Sequence, residues 1–262
     1  MEERQLLPGG REGKIIKEAD RVLRPANAWT PHVHAFLAFL RENGLDNVPE
    51  PCGIRADGTE ILSFVEGEVY DALPEPLIND TVLWEAADWL RRYHALGAEY
   101  IKRLRGGETW MLPSRSPAEV LCHGDFAPYN ATFAGGHLRG VIDFDAVHPG
   151  PRLWDFAYAA YRWVPFMAPS NPECREELPG QLRRLRVFAD GYGLSADERE
   201  RLPKAMSERL RSLIAYMRDE AAGGSEDMRR NIEAGHLALY ERDLAYFGEN
   251  AAKMTAALRT GG

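Results

Sequence analysis

The segment Leu121-Cys122-His123-Gly124-Asp125-Phe126-Ala127-Pro128-Tyr129-Asn130, with Val141-Ile142-Asp143-Phe144-Asp145 after it, constrains this chain more than any other. Between the two, Ala131-Thr132-Phe133 and Leu138-Arg139-Gly140-Val141-Ile142 flank Ala134-Gly135-Gly136-His137. Two short runs around a Gly-Gly turn are a hairpin signal. A hairpin there returns Asp143 to the neighbourhood of Asn130, so that a carboxylate and an amide oxygen can share one hard divalent cation. Asp125, five residues before Asn130, adds a carboxylate suited to accepting or orienting a hydroxyl proton. Chance spacing on ordinary loops is the alternative, and three residues in order around a plausible hairpin argue against it.

The rest of the chain reads as strands first and helices afterwards. Lys14-Ile15-Ile16-Lys17-Glu18 and Arg21-Val22-Leu23-Arg24, joined by Ala19-Asp20, predict a β-hairpin that Pro25 stops. A helix follows, with Thr30 as N-cap, Pro31 in the first turn and Gly44 just past the end; Val33, Phe36, Leu37 and Leu40 form its apolar stripe. Glu60 to Val65 reads as a strand, and Glu66-Gly67-Glu68 as a hinge. Asn79 or Asp80 caps a long helix reaching about Arg105, a β-rich island covers about 119 to 145, and the pattern from Pro151 onward is helical. The expectation is an α+β chain: a small β-rich lobe over residues 1–66 and a larger, mostly helical lobe over 67–262.

Composition excludes several classes of function. The net charge of −8 opposes nucleic acid or an anionic membrane surface as the main partner, while remaining compatible with a cationic ligand. No run of apolar residues is long enough for a membrane helix, and the start, Met1-Glu2-Glu3-Arg4-Gln5, does not resemble a signal peptide. Cys52, Cys122 and Cys174 are odd in number and far apart, which fits reduced thiols in a cytoplasm and no cysteine-based zinc site. The expected location is cytoplasmic. No GxxxxGK[ST] occurs, so a P-loop nucleotide site is excluded.

The HGDxxxxN plus IDxD pattern resembles the aminoglycoside phosphotransferase and choline kinase-like family, the small-molecule relatives of protein kinases. Gly124 stands where protein kinases usually carry Arg. Leu90-Arg91-Arg92-Tyr93-His94 is similar to the family's LxxLH helix end, and Trp154-Asp155-Phe156-Ala157 to its yDLA segment. The resemblance implies a bilobal protein-kinase-like fold with a reduced β-rich N-lobe and a mostly helical C-lobe. It further implies ATP (or GTP) and Mg²⁺ as cofactors, and phosphorylation of a hydroxyl group on a small molecule. By position, Asp125 becomes the catalytic base, Asn130 and Asp143 the Mg²⁺ ligands, and His123 a brace for the catalytic loop. Arg24 falls at the phosphate-binding Lys, and the backbone of Ser63, Phe64 and Val65 faces the adenine. An amino-sugar acceptor stands beside choline, homoserine or another metabolite as substrate.

The chain departs from the family pattern in its first lobe. Arg24 keeps the charge of Lys but brings a planar fork in place of a compact ammonium. The helix that usually offers a Glu to that Lys reads His32-Val33-His34, with no acid before Glu42, and Pro8 to Gly13 is only a GGxxG remnant of a phosphate-covering loop. These departures keep a nucleotide-binding pseudokinase or scaffold open as an alternative function. A glycosidase built on Asp125 and Asp143 has no supporting context.

Outside the island, the bland reading is favoured at most positions. Asp145 reads as a polar residue ending a strand, with a metal-assisting role as the alternative; His94 reads as a core histidine, Asp155 as a structural acid and Gly9-Gly10 as a surface turn. Trp154, Tyr158 and Tyr161 read as core more readily than as a box for a cationic ligand. Asp219, Glu220, Glu226 and Asp227 around Gly223-Gly224 suit a solvated turn and a site for substrate ammonium groups equally. Oligomeric state is not legible.

Overall fold

The computed structural model describes residues 4–7 and 15–259. The GGxxG remnant at 8–13 lies outside the described residues. A five-stranded antiparallel sheet comes first, built from β1 (Arg4–Leu6), β2 (Ile16–Glu18), β3 (Arg21–Pro25), β4 (Pro51–Ile54) and β5 (Thr59–Ser63), in the order β1-β2-β3-β5-β4. The β2–β3 hairpin forms where the sequence predicts it, turning at Ala19-Asp20 with Ala19 at φ +55°. In the β3·β5 register, Arg24 lies opposite Glu60.

The helix α1 (Thr30–Glu42) buries Val33, Phe36, Leu37 and Leu40, the stripe read from its 3.6-residue period. Its N-cap is Trp29, one residue before the expected Thr30. Thr30 is already helical, and its hydroxyl accepts from the Asn27 N–H at 2.9 Å, bracing the turn that leads in instead of the first helical turn. Gly44, at φ +83°, follows the helix end as expected. The long helix α2 (Asp80–Ile101) opens with the Asn79 side chain accepting from the Val82 N–H at 2.9 Å, an N-cap interaction.

The island between α2 and the later helices holds β6 (Val120–Cys122), β7 (Ala131–Ala134), β8 (His137–Val141) and β9 (His148–Gly150). β7 and β8 form the expected hairpin, and β6 pairs with β9. The helices α3 (Arg152–Trp163), α4 (Leu178–Tyr192), α5 (Ala196–Ala222), α6 (Glu226–Glu233) and α7 (His236–Arg259) follow, in line with the helical pattern read from Pro151 onward. The architecture is α+β, an antiparallel sheet followed by a mostly helical part. Among the described residues, no helix is long and apolar enough to cross a membrane.

The chain divides into two compact units. One comprises residues 1–77 and 92–152, and the other 78–91 and 153–262. The first buries Phe36, Tyr93, His123, Phe126 and Phe144 together, with ring centroids 4.8–6.2 Å apart. The second packs Phe156 against Phe188 and Tyr192, and Tyr161 against Phe247. Its buried hub is Asp243, which accepts from the Ala168 N–H, the Asn171 amide and the Tyr161 hydroxyl at 2.7–2.8 Å. Three donors on one buried carboxylate offset much of the cost of excluding it from water.

Candidate active site

A loop between β6 and β7 carries Asp125, and local hydrogen bonds fix its carboxylate. The Tyr129 hydroxyl donates to Oδ1 at 2.6 Å, and the Asn130 amide donates to Oδ2 at 2.9 Å and to the Asp125 main-chain oxygen at 3.0 Å. Pro128, Tyr129 and Asn130 form a single 3₁₀ turn, which brings the two side chains back over Asp125. Because the Asn130 amide spends its N–H groups on Asp125, the amide oxygen is the group left for a further ligand.

Gly124 makes this loop possible. It sits at φ +81°, and a Cβ there would stand 2.4 Å from the Ala146 carbonyl oxygen. No other residue type meets both conditions without displacement. His123 is fully buried, packed 4.8 Å from the Phe144 ring and 5.9 Å from Phe126. It therefore ties the loop to the segment that follows β8.

Asp143 arrives by the route the spacing predicts. The β7–β8 hairpin returns the chain, and the Ile142 N–H donates to the Asn130 carbonyl at 2.9 Å, which sets Asp143 one residue beyond a direct backbone link to Asn130. Asp143 is exposed and its backbone stands at φ +60°, a left-handed conformation that Asp tolerates better than most residues. The hairpin is also fixed from outside. Val141 N–H donates to the Asn47 carbonyl at 3.0 Å, and Glu68 and Phe133 exchange both backbone bonds at 2.8 and 2.9 Å. Gly67, in the expected hinge, sits so close to β7 that a Cβ would lie 2.9 Å from both Phe133 O and Thr132 Cβ.

Arg24 meets the same site from the sheet. Its Nε donates to Glu60 Oε2 at 2.5 Å and its Nη2 to Asp145 Oδ1 at 2.7 Å, while Nη1 stands 3.4 Å from Asp143 Oδ1. Glu60 holds His34 Nε2 at 2.8 Å with its other oxygen. Burial pulls the Arg24 pKa down, but the carboxylates of Asp145, Glu60 and Asp143 outweigh it and raise the value further. For Glu60, burial works upward; the bonds from His34 and Arg24 prevail and hold it below the usual carboxylate range. Asp145 is raised, first by burial and then by its acidic neighbours, with Arg24 only partly compensating.

Two of these contacts go beyond the sequence reading. Asp145 does not end a strand, since β8 stops at Val141; it lies in the following turn and binds Arg24. Glu60 reads in the sequence only as the start of a strand. Its signal is an acid in an otherwise apolar run, but the register that sets it opposite Arg24 is long-range. At the end of β5, the Ser63 and Phe64 N–H groups donate to the Glu50 and Asp20 carbonyls at 2.9 and 2.7 Å, fastening this stretch into the sheet.

Elsewhere, the bland readings of His94 and Asp155 describe what is seen. His94 is buried beside the Tyr93 ring, and Asp155 is buried in the first turn of α3. The aromatic series on α3 takes a cation from the chain itself, because the Arg209 guanidinium lies 4.4 Å from the Tyr158 ring and 5.3 Å from Trp154. Asp219, Glu220, Glu226 and Asp227 are exposed, and Asp227 pairs with Arg230.

The family model of the phosphotransferase enzyme family, APH, matches residues 75–192, a span that holds Asp125, Asn130 and Asp143 but neither Arg24 nor Glu60. No curated protein matches the chain by sequence. Solved structures match by fold. A choline/ethanolamine kinase family protein from Mesorhizobium loti is 16% identical with TM-score 0.58, over 94% of this chain and 89% of its own. The amicoumacin kinase hAmiN, in complex with AMP-PNP, Ca²⁺ and Ami, is 13% identical with TM-score 0.65, over 92% and 87%. The streptomycin–ATP–APH(2″)-IIa ternary complex is 15% identical with TM-score 0.57, over 94% and 93%. At these identities the likeness is one of fold.

Proposed function

We propose, from the match of residues 75–192 to the APH phosphotransferase family model, that this chain moves the γ-phosphoryl group of ATP (or GTP) to a hydroxyl of a small molecule. The observation that carries the reading is the fixed Asp125 carboxylate, held by Tyr129 and Asn130, with Asp143 delivered next to Asn130 by the hairpin. In-line transfer asks mainly for positioning and for neutralised phosphate charge. Asp125 orients the acceptor hydroxyl and takes its proton. Arg24 faces the phosphates, and the backbone of Ser63, Phe64 and Val65 lines the adenine side. In this division of labour, residues 1–66 serve the nucleotide and residues 67–262 serve catalysis and the acceptor.

The donor set fits magnesium. The described residues contain no group of three metal-binding His, Cys, Asp or Glu side chains. Mg²⁺, however, usually takes one or two protein oxygens and completes its shell with water and phosphate. The Asp143 carboxylate and the Asn130 amide oxygen meet that requirement. When bound, Mg²⁺ supplies charge neutralisation on the phosphate oxygens.

The acceptor is a small molecule with a free hydroxyl. Amino sugars, choline, homoserine and other metabolites share the chemistry the site asks for, and a cationic acceptor suits the net charge of −8. Calorimetry with Mg·ATP and Mg·GTP, followed by a transfer assay over a panel of cationic and neutral alcohols, tests the reading. Magnesium-dependent binding with transfer that Asp125→Ala abolishes is the expected result. Absence of both binding and transfer overturns it. Binding without turnover on any acceptor supports instead a nucleotide-binding pseudokinase, the reading that Arg24 in place of Lys favours.

A further inference from the structure

The helix α1 carries no acid before Glu42, yet Arg24 is not left without an organising carboxylate. Glu60 comes from the neighbouring strand β5, directly opposite Arg24 in the register, so both side chains leave the sheet on the same face. Its side chain is 1% exposed and that of Arg24 12%. A carboxylate so thoroughly removed from water is costly unless both oxygens are bonded. Both are: Oε2 accepts from Arg24 Nε at 2.5 Å, and Oε1 meets His34 Nε2 of α1 at 2.8 Å.

The chemistry of the guanidinium explains why a strand acid can serve here. Lysine has one terminal nitrogen, so whatever orients it competes with whatever it binds. Arginine has a lateral Nε–H as well as four terminal N–H donors. A carboxylate on Nε fixes the plane and direction of the fork while leaving the terminal nitrogens to act. In this chain they reach Asp145 at 2.7 Å and stand 3.4 Å from Asp143.

We infer that Glu60 is the positioning residue for Arg24, and that His34 extends the link to α1. The chain α1–His34–Glu60–Arg24 holds the guanidinium in the one orientation from which it meets nucleotide phosphate. Glu60 thus replaces a helix carboxylate with a strand carboxylate, and the replacement goes together with Arg at position 24. The inference rests on the nucleotide reading of the site and names a residue outside the matched family segment.

The test compares a phosphate-bearing ligand with one that lacks phosphate. Dissociation constants for Mg·ATP and for adenosine are measured by calorimetry on wild type, Glu60→Gln, His34→Gln, Arg24→Gln and the double variant Arg24→Gln/Glu60→Gln. Glu60→Gln is expected to weaken Mg·ATP roughly tenfold or more while adenosine changes less than about twofold, as suits loss of a charge-assisted bond at the phosphate end only. His34→Gln shifts Mg·ATP in the same direction by a smaller factor. Glu60→Gln adds nothing once Arg24 is already Gln. Equal losses for ATP and adenosine, an unchanged Mg·ATP constant, or additive effects with Arg24→Gln overturn the inference. If Glu60→Gln does not fold, His34→Gln, which leaves the Arg24–Glu60 bond in place, carries the test. Wild type that binds no Mg·ATP overturns the nucleotide reading itself and this inference with it; wild-type binding with unchanged variants overturns the inference alone.

Discussion

Asp143 combines a left-handed backbone, at φ +60°, with an exposed carboxylate one residue past a hydrogen bond to Asn130. Strain of this kind persists where surrounding structure imposes it, and Asn shares the tolerance of Asp for that conformation. Asp143→Asn is therefore expected to keep the fold, with a thermal midpoint close to wild type, and to lower magnesium-dependent transfer at least roughly 100-fold through loss of the charged ligand. Steady-state assays over a magnesium titration check the second part. Gly124 is the opposite case, a position where structure itself forbids substitution. Its φ of +81°, and the 2.4 Å that would separate an added Cβ from Ala146 O, make Gly124→Ala costly by roughly 3 kcal/mol, from backbone strain and overpacking together. Urea denaturation measures it, and a variant as stable as wild type would show that the loop has room to move.

At the level of elements, the hairpins are the devices that bring distant residues together. The pairing of β3 with β5 sets Arg24 in register with Glu60, and the β2–β3 turn holds Ala19 at φ +55°. Ala in the left-handed region costs roughly 1–2 kcal/mol, which Gly avoids at the expense of some unfolded-state entropy. Ala19→Gly is accordingly expected to stabilise the protein by about 0.5–1 kcal/mol, read as a raised denaturation midpoint with an unchanged m-value. Much at this scale was legible in the sequence, because it is written in local chemistry. The Gly135-Gly136 turn, the Asn79 cap and the stripe on α1 each rest on neighbours in the chain, and each forms. Asp125, Asn130 and Asp143 were legible for the same reason, being joined by one short hairpin. The partners of Arg24 were not. Glu60 reaches it through a strand register 36 residues away, and Asp145 through a contact 121 residues away. No local periodicity carries that information. Thr30 shows a smaller failure of the same kind: its hydroxyl has two plausible N–H partners, and the turn at Asn27 wins.

For the whole molecule, the consequence lies in which residues share a compact unit. Arg24, Glu60, Ser63, Phe64, Val65, Asp125, Asn130, Asp143 and Asp145 all fall within residues 1–77 and 92–152. The β7–β8 hairpin is fastened within that unit to the segments flanking β4 and β5 by the Val141–Asn47 bond and the Glu68–Phe133 pair. A ligand that binds only the native arrangement of one unit suppresses the openings of that unit first, since local opening free energies differ across a structure and binding raises only those that disrupt the site. Saturation with Mg·ATP should therefore slow amide exchange in β3, β5, the Asp125 loop and the β7–β8 hairpin. Exchange in α5, α6 and α7, which belong to the other unit, should stay at its ligand-free rate. Peptide-resolved hydrogen exchange with and without nucleotide decides this. Protection concentrated in α5–α7 would move the nucleotide to residues 196–259 and would remove the assignment of Arg24 and Asp143 to its phosphates.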